Sequence, residues 1–139
     1  MTNNNHRDSG GFVPDYELET DLSDYSALAQ EIIRNRDNMG TLPEPGLVGK
    51  VKGCCGDSIQ IELRLTGDII QEARFTTDGC SATVAVGGMI TNLVKGKTLN
   101  QAQQISSKDI IESLGGLPNG HRHCADLAIK TLHATLQRE

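Results

Sequence analysis

A strict alternation of apolar and polar residues runs through the middle of this chain. Over residues 59–66 the letters read IQIELRLT, with apolar residues at the odd positions and mostly polar residues between them. Successive side chains of a β-strand point to opposite faces, so this segment is predicted to be a strand with one apolar face. The turn residues Thr66, Gly67 and Asp68 follow, and residues 69–76 are predicted to return as another strand, with Ile69 and Phe75 facing the core.

A further strand is predicted over residues 47–52, just before the alternating segment. Connections this short join antiparallel strands, because parallel pairing requires a long crossover. Helical periodicity recurs over 22–38, 80–94, 98–104, 107–114 and 123–139. The sequence therefore predicts an α+β fold, in which about four to five helices cover one face of a three-stranded antiparallel sheet.

Composition and charge limit the classes of partner. The chain has 139 residues, enough for one domain, which we expect over residues 22–139 behind a disordered acidic arm of residues 1–21. The 13 basic and 18 acidic residues exclude nucleic acid as the main partner, since phosphate binding needs a basic patch. No apolar run approaches the roughly 20 residues of a membrane span, and no signal-peptide core is found. We therefore predict a cytoplasmic protein with free thiols.

The four cysteines, at positions 54, 55, 80 and 124, are spread over three places and have no Cys-x-x-Cys spacing. Cys55 is followed by Gly56 and Asp57 in the bend between the first two strands. Cys80 starts a predicted helix, and Cys124 follows His123 in the first turn of the last helix. Helix N-termini favour thiolates, so Cys80 and Cys124 are expected to be ionised. Thiols gathered in this way predict a soft-ligand site for iron–sulfur, zinc or persulfide sulfur.

Each of these residues also has a simpler interpretation. A single cysteine often acts as a small buried hydrophobe, and Cys54, which has no distinct context, is predicted to be a core or spare thiol. Asp57 is equally consistent with a turn cap and with a weak oxygen ligand. His121 is close to Cys124 in sequence, whereas His133 is expected on an exposed helix surface.

From about residue 33 to the C-terminus the chain resembles the U-type iron–sulfur cluster scaffolds, the IscU and NifU N-terminal family. Three separated thiols, each with its characteristic flanking residues, indicate a family more specifically than any one of them alone. The segments that carry the resemblance are Gly-Leu-Val-Gly at 46–49, Cys-Gly-Asp at 55–57, Phe-Thr-Thr-Asp-Gly-Cys-Ser-Ala at 75–82, Val-Lys-Gly-Lys-Thr-Leu at 94–99 and His-Cys-Ala-Asp-Leu-Ala at 123–128.

The resemblance implies a cluster-assembly scaffold, a binding protein and not an enzyme. Cys55, Cys80 and Cys124 would bind the cluster and accept sulfur, and Asp57 or His123 would supply an exchangeable fourth ligand. Family members receive sulfur from a cysteine desulfurase, take up Fe²⁺, assemble a [2Fe–2S] cluster and pass it to apo iron–sulfur proteins. Four thiolates would hold the cluster firmly, whereas an oxygen or nitrogen ligand lets it leave.

The main alternative is a zinc-bound sulfur-transfer partner of a desulfurase, the SufU type, in which Zn²⁺ occupies the place of the cluster. SufU-type members carry an insertion between the second and third cysteines and lack the preceding histidine. This chain has 44 positions from Cys80 to Cys124 and keeps His123, so it resembles the IscU branch. A thiol hydrolase using Cys124 and His123 is disfavoured, because adjacent helical residues point about 100° apart.

Two features qualify the expected partners. The segment Leu117-Pro118-Asn119-Gly120-His121 stands where the family has Leu-Pro-Pro-Val-Lys, the recognition element of a DnaK-like chaperone, which counts against chaperone-driven transfer. The sequence leaves the resting state open between a monomer and a homo-oligomer.

Overall fold

A computed structural model describes residues 22–53, 56–118 and 120–137, and it confirms the predicted α+β fold. The predicted arm of residues 1–21 and the thiols Cys54 and Cys55 lie outside the described residues. The strands are β1 Leu47–Lys52, β2 Ser58–Thr66 and β3 Ile69–Thr77. The helices are α1 Ala27–Asn35, α2 Ser81–Val94, α3 Leu99–Gln103, α4 Ser107–Leu114 and α5 Arg122–Leu136. Every helix in these ranges is too short or too polar to cross a bilayer.

The sheet is an antiparallel meander with β2 at its centre, between β1 and β3. Helix α5 packs on β1 and β2, α2 packs on β3, and α1 and α4 pack against α2. The alternating residues Ile59, Ile61 and Leu63 are completely buried in the core beneath these helices. On the opposite face Glu62 is also buried, where its carboxylate accepts a hydrogen bond from the Leu42 backbone N–H at 2.7 Å. The connector before β1 therefore covers part of that face.

A β-bulge changes which residues of β3 face the core. The register of β2 and β3 shifts after Arg64, so Gln71 is an extra residue in β3. One extra residue reverses the alternation on its far side. Ile70 is consequently buried with Phe75, while Ile69 is 41% exposed. The prediction that Ile69 faces the core was wrong, because the alternation of apolar and polar residues does not reveal where a bulge lies.

Helix α1 begins later than its apolar periodicity predicts. Ser26 is the N-cap, and its hydroxyl oxygen accepts a hydrogen bond from the Ala29 N–H at 3.0 Å. The predicted caps Ser23 and Asp24 precede the helix, in a turn. Tyr25 lies in this turn, and its side chain is buried in the core. The apolar pattern before Ser26 therefore reflects contact with the core and not a helix.

The short helices α3 and α4 lie where the sequence predicts them, each with a capping box. The Thr98 hydroxyl oxygen accepts from the Gln101 N–H, and the Gln101 side chain accepts from the Thr98 N–H. Ser106 and Asp109 form the same reciprocal pair at α4. The cap of α4 is therefore one residue earlier than the predicted Ser107.

Two glycines let the helices that carry the site approach the sheet closely. A Cβ atom at Gly87 of α2 would lie 2.3 Å from Phe75 Cε2, and one at Gly49 of β1 would lie 2.4 Å from Thr135 Oγ1 of α5. Real Cβ atoms do not come so close, so only glycine fits at these contacts. They set how α2 and α5 lie on the sheet, and hence where the first turns of both helices meet.

Candidate metal centre

Three separate segments meet at one end of the sheet. Antiparallel pairing sets the start of β2 beside the end of β3, where the Ser58 N–H donates a hydrogen bond to Asp78 Oδ1 at 2.8 Å. Asp57 immediately precedes β2, and Cys80 is the N-cap residue of α2 just after β3. Cys124 lies in the first turn of α5 and is 1% exposed. The meander thus gathers a carboxylate and two thiols that are far apart in sequence.

Thr83, in the first turn of α2, lies at the centre of this group. Its hydroxyl oxygen is 3.4 Å from Asp57 Oδ2, 3.6 Å from Cys124 Sγ and 3.8 Å from Cys80 Sγ. The residue is fully buried. It was not among the predicted site residues, although its spacing three positions after Cys80 sets both on one side of the helix start.

The sulfur atoms of the two thiols lie within 4.8 Å of each other. The neighbouring Cys124 thiol lowers the pKa of Cys80 to about 4, and backbone N–H groups of Thr83 and Ala82 act in the same direction against the effect of burial. The Cys80 side chain, followed by burial, raises the pKa of Cys124. The pair therefore holds one proton, with Cys80 as thiolate and Cys124 as thiol. We expected both thiols to be ionised, but their closeness makes the first ionisation oppose the second.

Burial, and then the negative charges of Cys80 and Asp78, raise the pKa of the Asp57 carboxyl. The hydrogen bond from Thr83 and the proximity of His123 lower it. A carboxylate beside a thiolate is favourable when a cation lies between them. This arrangement of like charges is typical of a cation-binding site.

His121 and His123 occupy different positions relative to the two thiols. Among the described residues, the potential ligand atoms of Cys80, His121 and Cys124 all lie within 4.8 Å of one another. His121 Nδ1 is buried and has no hydrogen-bond partner in the described structure. His123 is exposed, with Nε2 3.8 Å from Cys124 Sγ, and its ring is 6.3 Å from that of His121. Adjacent helical residues point about 100° apart, yet the His123 imidazole bends back far enough to bring Nε2 within 3.8 Å of the neighbouring sulfur.

A cavity of about 270 Å³ opens beside this group, between the end of β1 and α5. Cys124, His123 and Asp57 line it together with Lys52 and Lys130. This cavity therefore leads from the charged side chains of Lys52 and Lys130 to the Cys124 thiol. Another cavity, of about 400 Å³, is lined by α4 residues and carries neither thiol nor imidazole.

Of the predicted ligands, the structure brings Cys80, Cys124 and Asp57 together around Thr83 and sets His123 at the rim. The predicted ligand Cys55 lies outside the described residues and stays a prediction. With soft thiolate and imidazole donors within reach of one another, the residues that are described fit iron, zinc or an iron–sulfur cluster.

Comparison with known proteins agrees with this chemistry. Residues 24–138 match the NifU-like N terminal domain family. The chain is 35% identical over 117 residues to the iron–sulfur cluster assembly scaffold protein IscU of Aquifex aeolicus, which covers 82% of this chain and 74% of the relative. It is 39% identical over 95 residues to the iron–sulfur cluster assembly protein IscU of Plasmodium falciparum, covering 68% and 54%. It is 32% identical over 114 residues to the nitrogen fixation protein NifU of Trichormus azollae, but spans 37% of that longer protein.

Solved structures share the fold at lower identity. A SUF-system iron–sulfur cluster assembly scaffold protein from Fervidobacterium islandicum AW-1 superposes with a TM-score of 0.67 at 20% identity, covering 83% of this chain and 98% of that one. A NifU-like N-terminal protein from Brucella abortus gives 0.53 at 18% identity, covering 81% of each chain. These two structures show that the fold is shared, and the family follows from the sequence matches. The chain belongs to the NifU-like N-terminal domain family, whose members related to it include IscU-type iron–sulfur cluster assembly scaffold proteins.

Proposed function

We propose that this protein is a scaffold on which a [2Fe–2S] cluster is assembled from Fe²⁺ and sulfur and then passed to apo iron–sulfur proteins. The observation that carries this proposal is the close approach of the Cys80 and Cys124 thiols beside the Asp57 carboxylate. Two thiols supply soft ligands for iron, and the carboxylate supplies a ligand that exchanges easily. Cys55, two residues before Asp57, is proposed as the third thiol.

The cluster is cargo in this proposal, and the residues act by binding and orienting it. Sulfur would arrive as a persulfide from a cysteine desulfurase. A scaffold thiolate attacks the outer sulfur, the S–S bond breaks, and the desulfurase keeps its thiolate. Cys80 is ionised well below neutral pH and is available for such a step. Reduction of the received sulfur to sulfide requires two electrons from an external reductant.

The remaining features of the proposal follow from the same chemistry. The protein itself catalyses no turnover of a substrate, and it acts in the cytoplasm, where cysteines remain reduced. Its partners are the desulfurase and the recipient apo-proteins. A DnaK-like chaperone is not included, because the segment from Leu117 departs from the family's recognition element.

One observation favours a second candidate, a zinc-bound sulfur-transfer protein. Cys80, His121 and Cys124 offer three ligand atoms within 4.8 Å, and zinc accepts this sulfur and nitrogen set with a fourth ligand in tetrahedral geometry. In that case Zn²⁺ holds the thiols and one cysteine takes the persulfide. The same residues therefore support both candidates, which differ in what the protein contains when purified.

The deciding experiment measures iron, acid-labile sulfide and zinc in protein purified without oxygen, before and after incubation with Fe²⁺, cysteine, a desulfurase and a dithiol reductant that supplies the two electrons. Equal amounts of iron and sulfide with a visible chromophore support the scaffold. One zinc per chain and no cluster after incubation support the sulfur-transfer candidate. Cys80→Ser is expected to abolish stable assembly, and a normal cluster in that variant would contradict the proposed site.

A further inference from the structure

We propose that Thr83 is a positioning residue that holds the Asp57 carboxylate at the thiol pair. The inference rests on the proposed function only in taking Asp57 as a ligand. Thr83 Oγ1 lies 3.4 Å from Asp57 Oδ2, 3.6 Å from Cys124 Sγ and 3.8 Å from Cys80 Sγ. Thr83 is fully buried in the first turn of α2, so its hydroxyl is held by packing. It joins a bend before β2 to the start of a helix that follows β3.

The hydroxyl has one hydrogen to donate and three acceptors within reach: Asp57 Oδ2 at 3.4 Å, Cys124 Sγ at 3.6 Å and Cys80 Sγ at 3.8 Å. The carboxylate oxygen is both charged and the nearest of the three. The Cys124 sulfur is a weak acceptor, and the Cys80 sulfur is the most distant. The hydrogen is therefore directed at Asp57.

Asp57 needs such a partner because its surroundings repel it. Negative charge on Cys80 and on Asp78 lies close to the carboxylate. The preceding residue, Gly56, is exposed and has φ +93°, with open space around it. Within the described ranges, the Thr83 hydroxyl is the hydrogen-bond donor to this carboxylate. Without it, the side chain would turn toward solvent, where water solvates the charge.

Glycine at position 79 leaves the space that the contact between Thr83 and Asp57 occupies. A Cβ atom there would lie 2.7 Å from Thr83 Oγ1 and 2.9 Å from Asp57 Oδ2. Any side chain at position 79 would therefore force the two oxygens apart. The absence of a Cβ atom and the buried hydroxyl together fix Asp57 at the site, and Thr83 acts through Asp57 as an outer partner of a ligand.

The test measures the equilibrium affinity for Zn²⁺, by competition with a chromophoric chelator, in the reduced full chain. The variants are Thr83→Val, Thr83→Ser, Asp57→Asn and the double variant. Thr131→Val is the matched control, since Thr131 is equally buried but donates only to a carbonyl of its own helix. Outer partners of ligands typically contribute 10- to 100-fold to metal affinity. We expect Thr83→Val to lose about tenfold, Thr83→Ser to retain the affinity, and Thr131→Val to bind as the unmodified chain does.

The double variant decides whether Thr83 acts through Asp57. If it does, Asp57→Asn with Thr83→Val binds Zn²⁺ as Asp57→Asn alone does, within about twofold. Multiplied losses in the double variant, an unchanged affinity in Thr83→Val, or a loss in Thr83→Val with none in Asp57→Asn would each overturn the inference. Thermal unfolding of each variant separates misfolding from this effect. Because Zn²⁺ is the probe, failure to assemble a cluster would count against the proposed function and leave this test intact.

Discussion

The sulfur atoms of Cys80 and Cys124 lie within 4.8 Å of each other, at the junction between the first turns of α2 and α5, and each thiol shifts the pKa of the other. The pair thus holds one proton, with Cys80 as the thiolate. Alkylation should therefore be selective for Cys80 at about pH 6, where an ordinary thiol is almost fully protonated. Mass spectrometry of iodoacetamide-treated protein, in a Cys54→Ser, Cys55→Ser background, measures the selectivity.

In the same background, Cys124→Ala is expected to raise the pKa of Cys80 toward its ordinary value, because the neighbouring thiol that lowers it most is gone. Its alkylation rate at about pH 6 should then fall by tenfold or more. An unchanged rate would show that the helix N-terminus alone ionises Cys80.

The shared proton also makes stability depend on pH. The unfolded chain keeps both thiols protonated below about pH 8.5, while the folded pair has already lost one proton above about pH 4. The pair's contribution to the free energy of unfolding therefore falls as pH drops from about 8.5 toward 4. It also falls above about pH 8.5, since the unfolded chain then loses both protons while Cys124 keeps its own.

Urea unfolding across this range should show a difference between the unmodified chain and Cys80→Ser that grows as pH rises from about 4 to about 8.5. The slope over this range is at most about 1.4 kcal/mol per pH unit. A pH-independent difference would argue against the single shared proton.

Replacing Asp57 by alanine is expected to prolong the life of an assembled cluster. The carboxylate is the exchangeable ligand in the proposed site, and its loss removes the position through which the cluster leaves. The rate at which the visible absorption decays in the presence of an iron chelator measures this, and we expect a decrease of severalfold. The Zn²⁺ affinity of the related variant Asp57→Asn is still expected to fall. An equilibrium affinity depends on every ligand, whereas the lifetime of the cluster depends on the ligand that exchanges.

Cluster assembly in Asp126→Ala is the control, because Asp126 lines the cavity but accepts a hydrogen bond from Ser107 outside the thiol group. An Asp57→Ala cluster that decays as fast as the Asp126→Ala cluster would remove Asp57 from the release step.

The adjacent thiols Cys54 and Cys55 are predicted to behave differently. Cys55→Ser should abolish stable cluster assembly, as expected for a ligand, whereas Cys54→Ser should assemble a normal amount of cluster. Iron and sulfide content after anaerobic assembly measures both. Equal losses in the two variants would show that Cys54 is not a spare thiol.

The close contact of Gly87 with the Phe75 ring predicts a stability effect far from the thiols. Gly87→Ala inserts a methyl group where no space exists, at a cost of about 1–3 kcal/mol, offset by up to about 1 kcal/mol of helix propensity. Urea unfolding should show a net loss. Gly46→Ala is the control, because its Cβ would meet its nearest atom at an ordinary 3.5 Å. Equal stability of the two variants would contradict the packing argument.

Local sequence patterns were sufficient to predict most of the fold. The alternation over β2 and the turn at Gly67 indicate neighbouring antiparallel strands, because both depend on the residues' own spacing and backbone preference. The same holds for α2 and α5, whose apolar stripes follow the helical period. Ile69 and the start of α1 were misjudged because a bulge and a turn packed on the core keep an apolar pattern while changing its geometry.

Spacing, periodicity and motifs along the chain predicted the meander, the helices and the family, and they singled out Cys80, Cys124 and Asp57 as chemically important. Three-dimensional packing was needed to show that one buried hydroxyl, from Thr83, contacts all three, that His121 lies within ligand distance of both thiols, and that the two thiols hold a single proton. Patterns along a chain report each residue's own conformation, whereas proton sharing and hydrogen bonding depend on separations of a few ångströms between segments far apart in sequence.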